Sequence, residues 1–133
     1  MTSGPSDPTL TLAVLEGTFA IHRLSPTAEI PPAILCQDVF SVMRTPQELS
    51  LLVREEVPIV ANNTEPGWRG LVIEGTLDFG MTGVLAAISQ VLAAAHISIF
   101  ALSTYDTDYI FVKAARLEAA CEALGQAGHP IRR

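Results

Sequence analysis

From Trp68 onward the spacing of apolar and polar positions changes period several times, and each change marks an element. Arg69 to Thr76 (RGLVIEGT) is a short β-rich run that ends in a turn, Leu77-Asp78-Phe79-Gly80. Met81, Val84, Leu85, Ile88, Val91, Leu92 and Ala95 then recur at the three-and-four spacing of one helix face. The other face of that helix carries only Ala, Ser, Gln and Gly, so it has no charged side and predicts a second contact surface. Ile97 to Ser103 (ISIFALS) is apolar on both alternating faces, the pattern of a central strand. Thr104 to Thr107 is a turn, and Asp108 to Lys113 (DYIFVK) returns as the second strand of a hairpin. Leu117, Ala120, Cys121 and Leu124 mark a second amphipathic helix, with Arg116, Glu118 and Glu122 outward and Gly128 as its stop. Pro130-Ile131 leaves room for only a brief last strand.

The order β-α-β-β-α-β defines an α+β fold of ferredoxin-like type, two split βαβ units with both helices on one face of an antiparallel sheet. The bare face of such a sheet needs a cover, and the apolar ISIFALS run predicts another sheet or another chain. Towards the N-terminus the pattern is less regular. Thr9–Leu15 and Thr18–Leu24 read as strands around Glu16-Gly17, and Ile30–Cys36 as a short helix entered through Pro31-Pro32. Asp38–Arg44 reads as another strand. Thr45-Pro46-Gln47-Glu48 has capping-box spacing with proline at the first helical position, and Leu49, Leu52 and Val53 follow on one face, which predicts a helix over Pro46–Glu55. Asn62 to Gly67 (NNTEPG) is the candidate linker, dividing the chain into residues 1–65 and 66–133.

Composition narrows the function classes. The net charge is −6 with eight Lys and Arg scattered along the chain, so no basic stripe exists to neutralise a phosphate backbone, and nucleic acid is not an expected partner. Nearly half the residues are hydrophobic and 17% are charged, which leaves apolar surface for a partner. No Asp, Glu, Lys or Arg occurs from Phe79 through Tyr105, long enough to raise a membrane span. The polar residues inside that stretch and the change of period near His96 favour a buried helix followed by a strand, so no membrane partner is expected. The first residues carry neither a basic nor an apolar signal region. Cys36 and Cys121 are far apart, form no CxxC pair and lie in apolar surroundings, which predicts buried free thiols and a cytoplasmic location.

Catalytic chemistry finds little support. His22, His96 and His129 lack carboxylate or cysteine neighbours at metal-ligand spacing, no serine sits in a nucleophile elbow, and no glycine-rich loop carries a Walker lysine. Asp78-Phe79-Gly80 spells a kinase tripeptide without any of the elements that give it meaning. Neither a catalytic residue, a metal site nor a cofactor is predicted.

The run Asp78-Phe79-Gly80-Met81-Thr82-Gly83-Val84-Leu85-Ala86, then Leu92-Ala93 and Ile97-Ser98-Ile99, resembles the signature of the ACT domain family. With the segment Ile99 to Tyr109, it is similar to small bacterial tandem-ACT proteins related to CASTOR-type arginine sensors and to aspartate kinase regulatory domains. Thr82 stands where proline is frequent in that signature, and Ser98 where Asn or Asp is. The first half of the chain reads as a degenerate copy. The resemblance implies a non-catalytic regulatory protein that binds an amino acid at an inter-module or subunit interface, forms a homo-oligomer and acts on a regulated enzyme that the sequence does not name. Met81, Thr82, Gly83 and Val84 would line the carboxylate side, Ile97 and Ser98 would supply strand contacts, and Asp108 matches the aspartate that receives the ligand's cation.

The residues themselves are compatible with that reading. Gly80 and Gly83 bracket a helix entrance, where missing Cβ atoms admit a ligand and unpaired N–H groups favour a carboxylate. Asp108, assisted by Asp78, would accept an ammonium group. Plainer roles stay open: Asp78 as a helix cap, Gly83 as a close-packing residue, Asp106 and Asp108 as ordinary turn acids. The alternative function is a ligand-independent dimerisation or docking module.

Overall fold

A computed structural model describes residues 10–74 and 83–133. The strands are β1 (Leu12–Val14), β2 (Phe19–Leu24), β3 (Ser41–Arg44), β4 (Leu49–Arg54), β5 (Asn63–Ile73), β6 (Ile99–Ser103), β7 (Asp108–Lys113) and β8 (Ile131–Arg132). The helices are α1 (Val84–Ala94) and α2 (Leu117–Gln126), with 3-10 turns at Pro32–Cys36 and Ala114–Arg116. Contacts divide the chain into two compact units. The helical unit holds the chain through Glu16 together with Arg69–Arg133, and the strand unit is Gly17–Trp68.

In the helical unit the strand order is β6-β7-β5-β1-β8. The β-α-β-β-α-β succession read from the sequence is present as β5-α1-β6-β7-α2-β8, an α+β arrangement. One strand is added to it. The segment Leu12–Val14, which sequence reading places in the N-terminal half, pairs antiparallel with β5 (Leu12↔Ile73, Val14↔Leu71) and parallel with β8 (Leu12↔Ile131). Both helices cover one face. Leu12, Leu71, Ile73, Ile110 and Val112 of the strands share one core with Val84, Ile88 and Leu92 of α1 and with Leu117, Ala120 and Leu124 of α2. On the opposite face a Cβ at Gly70 would lie 2.7 Å from Leu15 Cδ1 and 2.8 Å from Phe111 Cε2, so only glycine fits there.

The two helices end alike. Ile97 N–H donates to Leu92 O (2.9 Å) with His96 at φ 59°, and His129 N–H donates to Leu124 O (2.9 Å) with Gly128 at φ 93°. Both closures are of the Schellman type, and α1 makes its own without a glycine. The expectation that Ile97–Ser103 is a central strand is corrected. β6 pairs with β7 alone, and its outer edge has no partner among the described residues. The central-strand signature lies instead in Ile110-Phe111-Val112 of β7, all fully buried.

In the strand unit the order is β3-β4-β2 followed by the first part of β5. Leu24, Ile34, Leu49, Leu51, Val53 and Val57 form its core. The helix expected over Pro46–Glu55 is a strand. Thr45 Oγ1 does accept the N–H groups of Gln47 and Glu48 (both 3.1 Å), as a helix cap would. Thr45 N–H, however, donates to Glu48 O (2.8 Å), which closes a four-residue turn between β3 and β4. Leu49, Leu51 and Val53 enter the core while Leu52 is buried on the other side, and burial on both faces imitates helical spacing. The NNTEPG linker is likewise corrected. From Asn63 this segment pairs with β2 (Arg23↔Asn63, His22↔Thr64), with a register shift between Phe19 and Ile21 opposite Pro66-Gly67. Pro66 cannot donate to a ladder, Gly67 has φ 79°, and its N–H reaches Glu55 Oε2 at 2.8 Å, so the turn-forming residues build a bulge. Cys121 is buried, and burial raises its thiol pKa, whereas Cys36 is exposed, contrary to expectation.

His22 lies in β2 opposite Leu51 and Thr64, buried, with Nδ1 2.9 Å from Thr64 Oγ1 and Nε2 without a partner. Desolvation lowers its pKa below the ordinary 6.5. The unfolded chain therefore takes up this proton at a higher pH than the folded one. The His22 contribution to stability is complete above the unfolded value and is lost as pH falls through the lowered folded value. Melting temperatures measured between pH 7.5 and 5 are expected to fall on acidification, and His22→Gln to flatten part of that fall; an unchanged slope in the variant contradicts this assignment.

Candidate functional site

The entrance of α1 is formed by Gly83, the N-cap residue, at φ 80° and ψ 1°. Its carbonyl accepts the first intrahelical bond, from Ala87 N–H at 2.8 Å, so the amides of residues 84–86 have no acceptor within the helix. Among the described residues no side chain caps this end, and no acidic residue occupies the first turn. Among the described residues, a Cβ at Gly83 would meet nothing within 4 Å. The close-packing role for Gly83 is thereby corrected: glycine is favoured by the left-handed conformation. Val84 directs its side chain into the core, so only its backbone amide belongs to the entrance. Asp78, Gly80, Met81 and Thr82 lie outside the described residues.

Asp108 opens β7 opposite Ser103, half-buried. Ser103 Oγ donates to Asp108 Oδ1. The turn before it is closed by Thr104 N–H to Thr107 O (2.8 Å), with Thr104 Oγ1 accepting Thr107 N–H (3.2 Å). Thr107 Oγ1 donates to Ile73 O at 2.7 Å, fixing the mouth of the hairpin beside the end of β5. The neighbouring Glu74 carboxylate is occupied: Arg132 Nε donates to it at 2.8 Å, and this hydrogen bond holds its pKa below the usual carboxylate range. Among the described residues Asp108 has only the Ser103 hydroxyl, on one oxygen, which leaves acceptor capacity on the carboxylate. Asp106 and Tyr105 are exposed on the turn.

Ile97 and Ser98 lie elsewhere. β6 runs from Ile99, opposite Val112, to Ser103, opposite Asp108, so Ser98 stands about 16 Å from the Asp108 end. The C-terminal end of α1 is on the Ser98 side, where Arg116 Nη2 reaches Ala95 O at 3.4 Å, and eleven residues of helix carry the entrance about 16 Å away, towards Asp108. The structure therefore groups Gly83 and the first α1 amides with Asp108 at one end of the helical unit, and Ile97 and Ser98 at the other. Ile97 is buried in the core and Ser98 is exposed. Sequence reading missed Ser103 and Thr107, the hydroxyls that fix Asp108 and the hairpin mouth. Their only signal was their place at the turn, which Ser103 precedes and Thr107 ends.

Among the described residues no group of three or more His, Cys, Asp or Glu could hold a metal ion, and no helix is long and apolar enough to cross a membrane.

The element order defines an α+β module of ferredoxin-like type, with a helix entrance and a hairpin mouth at one end of it. The family described as ACT domain matches residues 63–126. The human protein CASTOR3P is 33% identical over 109 residues, covering 69% of this chain and 67% of that protein. The crystal structure of Atu0741 from Agrobacterium tumefaciens superposes with a TM-score of 0.87 at 31% identity, over 94% of this chain and 93% of the other. The ligand-free regulatory subunit of aspartate kinase from Thermus thermophilus shares the fold, with a TM-score of 0.60 at 16% identity over 90% and 99% of the two chains. This chain belongs to the ACT domain family.

The glycine at the entrance has a measurable role. Gly83→Ala is expected to cost about 1–2 kcal/mol, the penalty of a Cβ in the left-handed region. Gly83→Asn should cost less, because asparagine tolerates that region. Denaturant midpoints of the three proteins check the order, and equal stability of all three removes the conformational requirement.

Proposed function

We propose that this protein is a non-catalytic regulatory module of the cytosol whose effector is a free amino acid, bound where two copies pair along β6. In this reading the α-carboxylate meets the first amides of α1, which have no acceptor within the helix, and Asp108 receives the ammonium group. The observation that carries it is the division of the expected site residues by about 16 Å, taken with the outer edge of β6, which pairs with no further strand among the described residues. That edge, Ile99–Ser103, has no charge, no proline and no bulge to discourage pairing. A two-fold antiparallel pairing about Ala101 sets residue 98 of one copy opposite residue 104 of the other. Ser98 of the second copy then lies beside the hairpin mouth that leads into Asp108. The residues that one copy keeps apart are brought together by two. Gly80, Met81 and Thr82, in the segment before α1, would complete the carboxylate side, and Asp78 would assist Asp108 at the ammonium group.

The test is a thermal-shift and calorimetric screen of the twenty amino acids, with light scattering on the same samples. One of them is expected to raise the melting temperature, since ligand at a hundred times its Kd adds about 2.7 kcal/mol of stability. Asp108→Ala should weaken its binding about tenfold or more. Ala101→Pro, which blocks the outer edge, should yield a monomer that no longer binds. A stable dimer that responds to no amino acid at millimolar concentration would instead assign the protein to ligand-independent dimerisation or docking.

A further inference from the structure

The strand unit has a concavity of its own, about 350 Å³ in volume, which shares no residue with the site proposed above. Three segments converge on it. Arg23 and Leu24 end β2 and lead into Ser25-Pro26; Gln47 belongs to the β3–β4 turn; Asn62 and Asn63 begin the neighbouring strand. The frame is held by backbone. Asn62 N–H donates to Arg23 O at 2.9 Å, and Arg23 and Asn63 are ladder partners. Arg44 clamps the Ser25–Ala28 turn from below, donating to Pro26 O and, at 2.7 Å, to Ala28 O. The Gln47 turn is fixed by the Thr45 bonds already described.

The lining has a definite chemistry. Arg23 is its only charged residue, and the other polar groups are one hydroxyl and three primary amides, above Leu24 and Pro26. Arg23 is loosely held. Its Nε is 3.8 Å from Glu48 Oε1 and its Nη2 is 3.4 Å from Gln47 O, both longer than a well-formed charge-assisted hydrogen bond. A guanidinium with five donors and only these two long contacts has capacity for a carboxylate in fork geometry. One cation surrounded by neutral donors and acceptors does not balance a phosphate dianion, and with no carboxylate in the lining it does not suit a metal ion. We propose that this concavity binds a small monocarboxylic acid, its carboxylate on Arg23 and its polar body on Ser25, Gln47, Asn62 and Asn63. Glu48 stands at the rim as a competitor, giving up Arg23 when the ligand enters. The proposal is independent of the effector reading for the helical unit.

The experiment is a titration of the ¹⁵N-labelled full chain with acetate, L-lactate and L-glutamine, followed by NMR. Saturable shifts are expected at the backbone amides of Arg23–Ser25 and Gln47 and at the side-chain amides of Asn62 and Asn63. Arg23→Ala should weaken binding about tenfold or more, and Arg23→Lys should restore part of it. Glu48→Gln should tighten it about two- to fivefold by removing the competing carboxylate. Absence of saturable shifts at these positions with all three acids overturns the proposal, as do shifts that persist in Arg23→Ala. Shifts confined to Gly83, Ser98 and Asp108 report the other site and also count against this one. Arg23 is solvent-exposed, so its variants should fold, and an unchanged amide spectrum outside the concavity verifies this.

Discussion

The helical unit depends on the pairing of Leu12–Val14 between β5 and β8. β8 is two residues long and could not hold a place in a sheet alone. It is held because Leu12 N–H donates to Pro130 O at 2.9 Å and Leu10 N–H donates to His129 Nδ1 at 3.1 Å, just where α2 hands the chain back to the sheet. The same few residues therefore close α2, seat β8 and supply Leu12 to the core shared by both helices. An isolated C-terminal segment would have every element of the β-α-β-β-α-β series and still lack the strand that joins its last member to the rest. Without that strand, the Arg132 that occupies Glu74 would have no fixed position, and the surroundings of the hairpin mouth would change with it.

Elements with one buried face were the ones legible in the sequence. α2 keeps a clean period, and the Gly128 stop stands where the closing bonds of α2 need a positive φ. Where both faces are buried or both half-exposed, period loses meaning. Leu51-Leu52-Val53 of β4 fill two faces and imitate a helix, whereas Ile99–Ser103 of β6 looks central because its polar partners are small hydroxyls and alanine. NNTEPG has turn composition, yet that composition serves a bulge within a strand. The site divides in the same way. The need for Gly83 at a helix entrance was readable because glycine before an apolar stripe has few other uses. The separation of Ser98 from Asp108 was not, because strand direction and pairing decide it and neither is local.

The two units repeat a plan with different materials. Each places a hairpin beside the strand that precedes it in the chain, and each four-residue hairpin turn is closed by a threonine N–H on the carbonyl of the turn's last residue: Thr45 to Glu48 and Thr104 to Thr107. The residue after the turn differs in kind, Asp108 in one unit and the fully buried Leu49 in the other. The segment before the hairpin differs as well, a three-turn helix in one and a single 3-10 turn in the other. These differences invert the charge logic of the two mouths. The helical unit has amide donors and one carboxylate, whereas the strand unit has a cation among neutral groups.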